Sequence, residues 1–200
     1  MSTNEVSSKP YDLIVYGATS FVGQILTHYL VETLGVNSDI SWAIASRSES
    51  KLATLKDSLG TIASELPVLI ADSHDEASLQ ALCSQTRVVI STVGPYALYG
   101  ELLIKTCAET GTDYTDLTGE AHWIGQMKEK YNQAAEASGA RIVNCCGFDS
   151  IPSDMGVFAM QQRAQAKFGH PLPHAKLRVK AMKGGASGGT IASMIEALKA

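Results

Sequence analysis

The chain has 200 residues, of which 45% are hydrophobic and 18% are charged, a balance that is ordinary for a globular protein with a sizeable core. A formal net charge of -4, without any basic run or stripe, argues against nucleic acid as a partner. No stretch approaches the roughly 20 apolar residues of a membrane span, and residues 1–10 are polar. We therefore expect a cytoplasmic protein with a flexible N-terminus over residues 1–10 and no transmembrane segment.

The four cysteines contain no C-x-x-C pair, and His170 and His174 have no nearby partners that would complete a zinc site. We therefore expect neither a bound metal nor a disulfide bond. Cys145 and Cys146 close an apolar strand pattern, where small buried thiols are favoured over a redox role.

The stretch from Leu13 to Gly23 joins an apolar, β-branched segment to a helical pattern through a glycine turn. Gly17 permits a sharp turn and the close approach of a pyrophosphate, and Gly23 lets the helix lie close to the strand. The hydroxyl of Ser20, which stands where many such loops have a glycine, either bonds a phosphate or caps the helix. The stretch predicts a dinucleotide cradle, with a purely structural turn as the alternative. The predicted cradle residues are Gly17, Thr19, Ser20, Phe21, Val22 and Gly23.

The second predicted strand ends at residues 46–48, close to the spacing at which a dinucleotide-binding domain contacts the ribose. That position carries Ser46 and Arg47 and no carboxylate. An arginine suits a 2′-phosphate because its guanidinium fork pairs with phosphate oxygens. We therefore predict NADP(H) as the cofactor, bound by Ser46 and Arg47. Glu49 nearby keeps NAD as the alternative, in which Arg47 is a solvated loop residue.

Strand and helix patterns alternate six times along the chain. The carboxyl ends of parallel strands meet at one edge, so loops there are expected to be functional. We predict a doubly wound parallel sheet of order 3-2-1-4-5-6, an α/β Rossmann domain over residues 11–170. The predicted strands are residues 11–16, 40–45, 68–71, 87–93, 113–117 and 141–145. The predicted helices include residues 21–34, 49–59 and 98–109, one that ends at residue 138 and one that ends near residue 168.

Two further loops at this edge complete the predicted cofactor site. Asp72 follows the third strand and could contact the adenine, although Ser73 and Glu76 would equally form a capping box for the next helix. The loop after the fourth strand lies where the strand order reverses, and should pass beside the pyrophosphate and the nicotinamide ribose. Its predicted cofactor contacts are Thr92, Val93, Gly94 and Pro95.

Four polar side chains on the same edge are candidates for a proton donor or a substrate contact. Each of the two carboxylates among them is equally explained as a helix cap. The candidates are Tyr96, Tyr99, Glu120 and Asp149.

From residue 171 the pattern changes. Residues 175–182 alternate apolar and basic side chains, which predicts a strand with one buried face. The glycine-rich residues 184–190 lead into a helical pattern still running at residue 200, and such a junction is more often a hinge or a cap than a binding loop. We expect residues 171–200 to begin a second α/β (α+β) domain and the natural protein to continue beyond them.

Four motifs resemble those of the saccharopine dehydrogenase-like oxidoreductases, and most of all the trans-acting enoyl reductases: residues 15–23, 91–96, 114–120 and 147–154. The resemblance implies an N-terminal NADP-binding Rossmann domain and a C-terminal α/β domain that shapes the substrate site. It also implies hydride transfer from NADPH to an activated C=C (enoyl) or C=N bond of a small-molecule or lipid-linked substrate. A homodimer through the C-terminal domain is compatible with this organisation.

Two other functions stay open. The chain could be a non-catalytic, nucleotide-sensing or lipid-associated scaffold that keeps the Rossmann fold. It could also be a cofactor domain that is inactive without its substrate half. Cofactor binding without hydride transfer would favour the scaffold, and turnover restored in a longer chain would exclude it.

Overall fold

The computed structural model describes residues 9–181, 183–185 and 187–198, so most of the N-terminal segment that we expected to be flexible lies outside the described residues. The strands are Tyr11–Tyr16 (β1), Trp42–Ser46 (β2), Val68–Ile70 (β3), Thr86–Ser91 (β4), Asp113–Asp116 (β5) and Ile142–Val143 (β6). The helices are Phe21–Thr33 (α1), Glu49–Leu59 (α2), Glu76–Ser84 (α3), Tyr96–Tyr99 (α4), Glu101–Thr110 (α5), Ala121–Ser138 (α6), Ile151–Phe168 (α7) and Gly188–Ala197 (α8).

The six strands form one parallel sheet in the order β3-β2-β1-β4-β5-β6, which confirms the predicted Rossmann order. In the centre of the sheet, Ile14 of β1 lies between Ala43 of β2 and Val89 of β4. The chain leaves β1 towards β2 on one side and returns to β4 on the other. A crevice therefore opens at the carboxyl ends of β1 and β4, where doubly wound sheets bind their ligands.

The centre of the sheet is buried on both faces, as the apolar strands predicted, while the edge strands β3 and β6 are partly exposed. Because side chains alternate along a strand, Ile14 packs on one face with residues of α3, α5 and α6. Its neighbour Val15 packs on the other face with residues of α1 and α2. Both side chains are fully buried, so β1 is the rigid support of the turn that follows it.

Local signals explain most element ends. Gly111 and Gly139 adopt the left-handed conformation and end α5 and α6, as predicted from their positions. The predicted helix over residues 98–109 is instead two helices that adjoin at Gly100. A Cβ at Gly100 would lie 2.6 Å from Cζ2 of Trp123, so this glycine lets the indole ring of α6 pack against the junction.

Three local predictions were wrong. The capping box of Ser73 and Glu76 does not form, because Asp75 caps α3 and its side chain accepts a hydrogen bond from the N–H of Ala77. β6 ends at Val143, and the expected burial of both following cysteines fails. Cys146 is exposed, while Cys145 is half-buried at a φ of +62°.

The predicted strand over residues 175–182 was also wrong for residues 175–181, which have no regular secondary structure, and residue 182 lies outside the described residues. This segment has no neighbouring strand among the described residues. A strand without a neighbour leaves its backbone N–H and C=O groups without hydrogen bonds to another strand. The helix expected after the glycine-rich segment is α8, which ends at Ala197 with Leu198 as its C-cap. Residues 199–200 lie outside the described residues. No helix in the described ranges has the length and hydropathy needed to cross a membrane.

Candidate functional site

Two adjoining cavities open at the carboxyl ends of β1 and β4, each with a volume of about 460 Å³. We call the first the turn cavity; Gly17, Ser46, Arg47 and Val93 are among its lining residues. We call the second the rim cavity. Its lining includes Phe21, Leu117, Glu120, Asp149 and Met194. The two cavities share Ser20, Thr92, Gly94 and Gly189, so a ligand in one would meet a ligand in the other at these residues.

The turn between β1 and α1 depends on two glycines. Gly17 has a φ of +84°, and a Cβ there would lie 2.6 Å from Cγ2 of Val93. A Cβ at Gly23 would lie 2.2 Å from the carbonyl oxygen of Gly17. The first glycine therefore allows the backbone conformation of the turn, and the second allows the close contact between helix and turn.

The start of α1 offers free hydrogen-bond donors. The N–H of Ser20 donates to the carbonyl of Gly17, and that of Gly23 donates to Oγ of Ser20. Within the described residues, the N–H groups of Thr19, Phe21 and Val22 have no acceptor. Unpaired N–H groups at a helix start attract anions through both hydrogen bonding and the helix dipole. The turn thus fits a pyrophosphate.

The backbone conformation at Ser20 does not require a glycine. Its φ of -70° and ψ of 165° are accessible to any L residue, so its Cβ imposes no backbone strain. The hydroxyl accepts from the N–H of Gly23 at 2.9 Å and lies 3.0 Å from Oγ1 of Thr92. Ser20 is therefore the helix cap, one of the two roles that the sequence left open, and it also lines both cavities.

The end of β2 forms the far wall of the turn cavity. Ser46 is buried, and its hydroxyl lies 2.9 Å from that of Thr19, which ties β2 to the turn. Arg47 is exposed and makes no hydrogen bond or ion pair with any other described residue. Lys51 also lines the cavity, four residues further along. Sequence reasoning missed this second cation; its signal was a basic residue in the first turn of α2, where helices more often carry an acidic one.

Asp72 does not line either cavity. Its carboxylate accepts from the backbone N–H of His74 at 3.0 Å, and this hydrogen bond lowers the pKa of Asp72. The neighbouring Ser73 lines the turn cavity instead. Tyr99 lines it as well, and its ring stands edge-on to that of His74 with centroids 5.5 Å apart.

The loop after β4 forms the wall between the two cavities. All four predicted residues of this loop line the turn cavity, and its Gly94–Pro95 peptide bond is cis. Thr92 donates from Oγ1 to the carbonyl of Gly17 at 2.8 Å, which fastens the loop to the turn. The four residues are Thr92, Val93, Gly94 and Pro95.

The four candidates for catalysis fall into two groups. Tyr96 is buried, its hydroxyl donates to the carbonyl of Ser91, and burial raises its pKa far above the ordinary range. Glu120 is also engaged, because its two carboxylate oxygens accept backbone N–H groups. By contrast, Tyr99 and Asp149 make no hydrogen bond through their side chains to other described residues. Tyr99 lies in the turn cavity, and the other three line the rim cavity.

A buried carboxylate holds the ends of β5 and β6 together below the rim cavity. Asp116 is 1% exposed and accepts from the hydroxyl of Tyr114 at 2.9 Å, the side-chain amide of Asn144 at 2.7 Å and the N–H of Cys145 at 3.0 Å. Burial raises the pKa of Asp116, and these hydrogen bonds partly offset the effect.

The first turn of α8 closes the opposite side of both cavities. Gly188 and Gly189 line the turn cavity, and Thr190 lines the rim cavity. Ser187 caps the helix by accepting from the N–H of Thr190, as expected for this junction. The position of α8 over the cavities could not be read from the sequence, since a glycine run does not identify the surface that it approaches.

The described residues contain no group of three or more His, Cys, Asp or Glu side chains arranged for a metal ion. The thiols of Cys83 and Cys107 are buried 3.6 Å apart, and burial raises the pKa of Cys107.

Several known proteins are similar to this chain in sequence, and a solved structure is similar to it in fold. A Mycobacterium tuberculosis protein, provisionally named a trans-acting enoyl reductase, is 42% identical over 190 residues, 95% of this chain and 45% of the relative. The trans-acting enoyl reductase of Mycobacterium ulcerans is 36% identical over 194 residues, 96% of this chain and 46% of the relative. A lipid droplet localized protein of Caenorhabditis elegans is 40% identical over 164 residues, 80% of this chain and 38% of the relative. The chain therefore spans less than half the length of these relatives.

Apo saccharopine dehydrogenase (L-Glu forming) of Saccharomyces cerevisiae has a similar fold, with a TM-score of 0.60 and 20% identity over 77% of this chain and 32% of that chain. The family described as the saccharopine dehydrogenase NADP binding domain matches residues 13–143. This match covers more than half of the chain and includes the glycine turn, the Arg47 loop and the wall between the cavities. The chain belongs to the saccharopine dehydrogenase NADP-binding domain family.

Proposed function

We propose that this chain binds NADPH in the turn cavity and takes part in hydride transfer to an activated C=C (enoyl) bond, with a C=N bond as the other acceptor. The observation that carries the proposal is the set of free N–H groups at Thr19, Phe21 and Val22, which offers a pyrophosphate site at the start of α1. The cofactor supplies the hydride when bound. The chain binds and orients it.

The preference for NADPH over NADH rests on Arg47. The Arg47 guanidinium makes no hydrogen bond or ion pair with another described residue, so it can pair with a 2′-phosphate without first breaking one. Lys51 adds a second positive charge on the same side of the turn cavity as Arg47. Glu49, which kept NAD as the alternative, does not line this cavity. We place the adenine ribose beside Ser46 and Arg47, and the pyrophosphate at the turn.

The rim cavity is the proposed place of the reacting part of the substrate, because it adjoins the turn cavity at Gly94 and Ser20. Of the four catalytic candidates, Tyr99 and Asp149 have side chains free to contact substrate or transfer a proton. Tyr96 and Glu120 already use their polar atoms within the fold. The choice between Tyr99 and Asp149 depends on the substrate.

The second candidate function is the lipid-associated scaffold, and one relative favours it. The Caenorhabditis elegans protein is named for its localization to lipid droplets and not for a reaction. A scaffold of this kind would bind the cofactor through the same turn and transfer no hydride. Binding therefore does not separate the two functions, and turnover does.

The proposed second domain over residues 171–200, the homodimer through a C-terminal domain, and the cytoplasmic location stay predictions. The relatives are more than twice as long as this chain, which supports a further domain in the complete protein. Leu177 and Val179 are exposed by 62% and 66%, as expected for side chains that another layer would cover.

The test is calorimetric titration of the wild type and of Arg47→Ala with NADPH and NADH. We expect tight binding of NADPH by the wild type and at least about tenfold weaker binding by Arg47→Ala, because a hydrogen bond to a charged group is lost. NADH binding should change little. Arg163→Ala, on the exposed part of α7, is the matched control and should bind both cofactors as the wild type does.

An equal loss of both cofactors in Arg47→Ala would contradict the assignment of the 2′-phosphate. Oxidation of NADPH by the chain, or by a longer natural form, with short enoyl thioesters and imines then tests catalysis. Turnover by either form would exclude the scaffold.

A further inference from the structure

Glu120 connects two loops that are distant in the sequence. It precedes α6 and is 9% exposed. One carboxylate oxygen, Oε1, accepts from the backbone N–H of Tyr96 at 3.0 Å, and the other, Oε2, accepts from that of Ala97 at 2.8 Å. The side chain therefore bridges the loop after β5 to the first turn of α4.

These contacts fill a gap in the capping of α4. The residue before α4 is Pro95, whose side chain has no acceptor atom for the free N–H groups of the first turn. The carboxylate of Glu120 supplies acceptors for two of them, and hydrogen bonds to a charged acceptor are about twice as strong as neutral ones. Both oxygens are used as acceptors, which leaves Glu120 an anchor and not a proton donor in this arrangement.

The anchored residues directly follow the wall between the two cavities. Gly94 lines both of them, Pro95 lines the turn cavity and Tyr96 lines the rim cavity. The hydroxyl of Tyr96 also holds this end of the wall, because it donates to the carbonyl of Ser91 at 3.0 Å. Loss of the Glu120 contacts would release α4 and allow the wall to move relative to the turn.

We propose that Glu120 is a positioning residue that holds this wall against the nicotinamide half of the bound cofactor. The proposal rests on the proposed NADPH site. In a doubly wound fold the loop after β4 lies beside the nicotinamide ribose, while the end of β2 lies beside the adenine ribose. Glu120 therefore affects the nicotinamide half and leaves the adenine half, held by Ser46 and Arg47, in place.

The experiment compares two ligands that share the adenine half. NADPH carries the nicotinamide, and 2′-phospho-ADP-ribose lacks it. We expect Glu120→Gln to weaken NADPH binding about tenfold, because an amide replaces one charged acceptor with a donor that faces an N–H group. It should also change the fluorescence of bound NADPH, whereas the affinity for 2′-phospho-ADP-ribose should stay within about twofold.

Glu101→Gln is the matched control. Glu101 also joins two elements, through Lys130 and Tyr131 of α6, but it lines neither cavity. It should leave both affinities and the fluorescence unchanged. Glu120→Asp, which keeps the charge but shortens the side chain, is the second variant in case Glu120→Gln does not fold, and it should show the same selective loss of NADPH.

Two outcomes overturn the positioning role while the proposed function stands: unchanged binding of NADPH in the Glu120 variants, or an equal loss of both ligands while the wild type binds them. Failure of the wild type to bind either ligand overturns the proposed NADPH site, and the positioning role with it.

Discussion

The contact between α1 and the glycine turn can be broken by a single methyl group, in Gly23→Ala. The new Cβ would lie 2.2 Å from the carbonyl oxygen of Gly17 and 2.8 Å from Cα of Ala18. Both neighbours are backbone atoms, so no side chain can rotate away to make room. The first turn of α1 must move by a large fraction of an ångström, and it carries the free N–H groups proposed for the pyrophosphate.

The clash distances decide which general magnitudes apply to stability and to affinity. Overpacking a well-packed site costs about 1–3 kcal/mol, and a clash with backbone on two sides belongs at the upper end of that range. Misplacing the N–H donors removes a hydrogen bond to a charged phosphate, about 1.5–3 kcal/mol, which is roughly a tenfold to hundredfold loss of NADPH affinity. Stability and affinity should therefore both fall.

Urea denaturation measures the first effect, and calorimetric titration with NADPH measures the second. The control is Gly125→Ala in α6, where nothing lies within 4 Å of the position of a Cβ. Gly125→Ala should keep its affinity for NADPH. Its free energy of unfolding should rise by up to about 1 kcal/mol, because alanine has a higher helix propensity than glycine. If Gly23→Ala were as stable as the wild type and bound NADPH equally well, the argument that this glycine sets the cradle would be wrong.

Two further predictions concern hydrogen bonds near the site. Ser20→Ala should destabilise the chain by about 1 kcal/mol in urea denaturation, and Ser20→Gly by only a few tenths, because glycine is itself an acceptable N-cap; equal losses would argue against the cap. Burial raises the pKa of Asp116 above its usual 3.8, so the folded state holds this proton more tightly than the unfolded state. The stabilising contribution of Asp116 should therefore decline as the pH rises from about 3.8 through its folded pKa and stay constant above it. Unfolding free energies of the wild type minus those of Asp116→Asn should show this fall with pH, and a rise would refute it.

The sheet order could be predicted from the sequence because the signals that decide it are local. Apolar runs that end in glycine or polar residues define the strands, and the rules for parallel crossovers then restrict the order of the strands. In the glycine turn only the packing of Gly23 is local in the same sense, since its close neighbours are Gly17 and Ala18. Gly17 packs against Thr92, 75 residues further along the chain, and that contact could not be read from the sequence. Element ends were less accurate: β6 ends at Val143, two residues before the predicted end, and Cys145, at a φ of +62°, lies outside the extended conformation.

The predicted strand over residues 175–182 failed for a different reason. Alternating apolar and charged residues show which side chains would share a face, but a strand also requires a partner for its backbone N–H and C=O groups. Whether such a segment finds a neighbouring strand depends on the tertiary structure. Among the described residues none is present, and residues 175–181 remain without regular structure.

The difference between local signals and tertiary contacts also explains which polar candidates on the rim are free. Glu120 and Tyr96 were expected at the same edge of the sheet and lie there, but the carboxylate of Glu120 accepts from the backbone N–H of Tyr96, 24 residues earlier, and this pairing cannot be read from spacing. Once those partners are known, a carboxylate that looked available for proton transfer is occupied by two backbone N–H groups, and Asp149 and Tyr99 remain free. The chemistry of a rim residue therefore depends less on its own identity than on whether the fold has already used its polar atoms, and in this chain only the tertiary structure decides that.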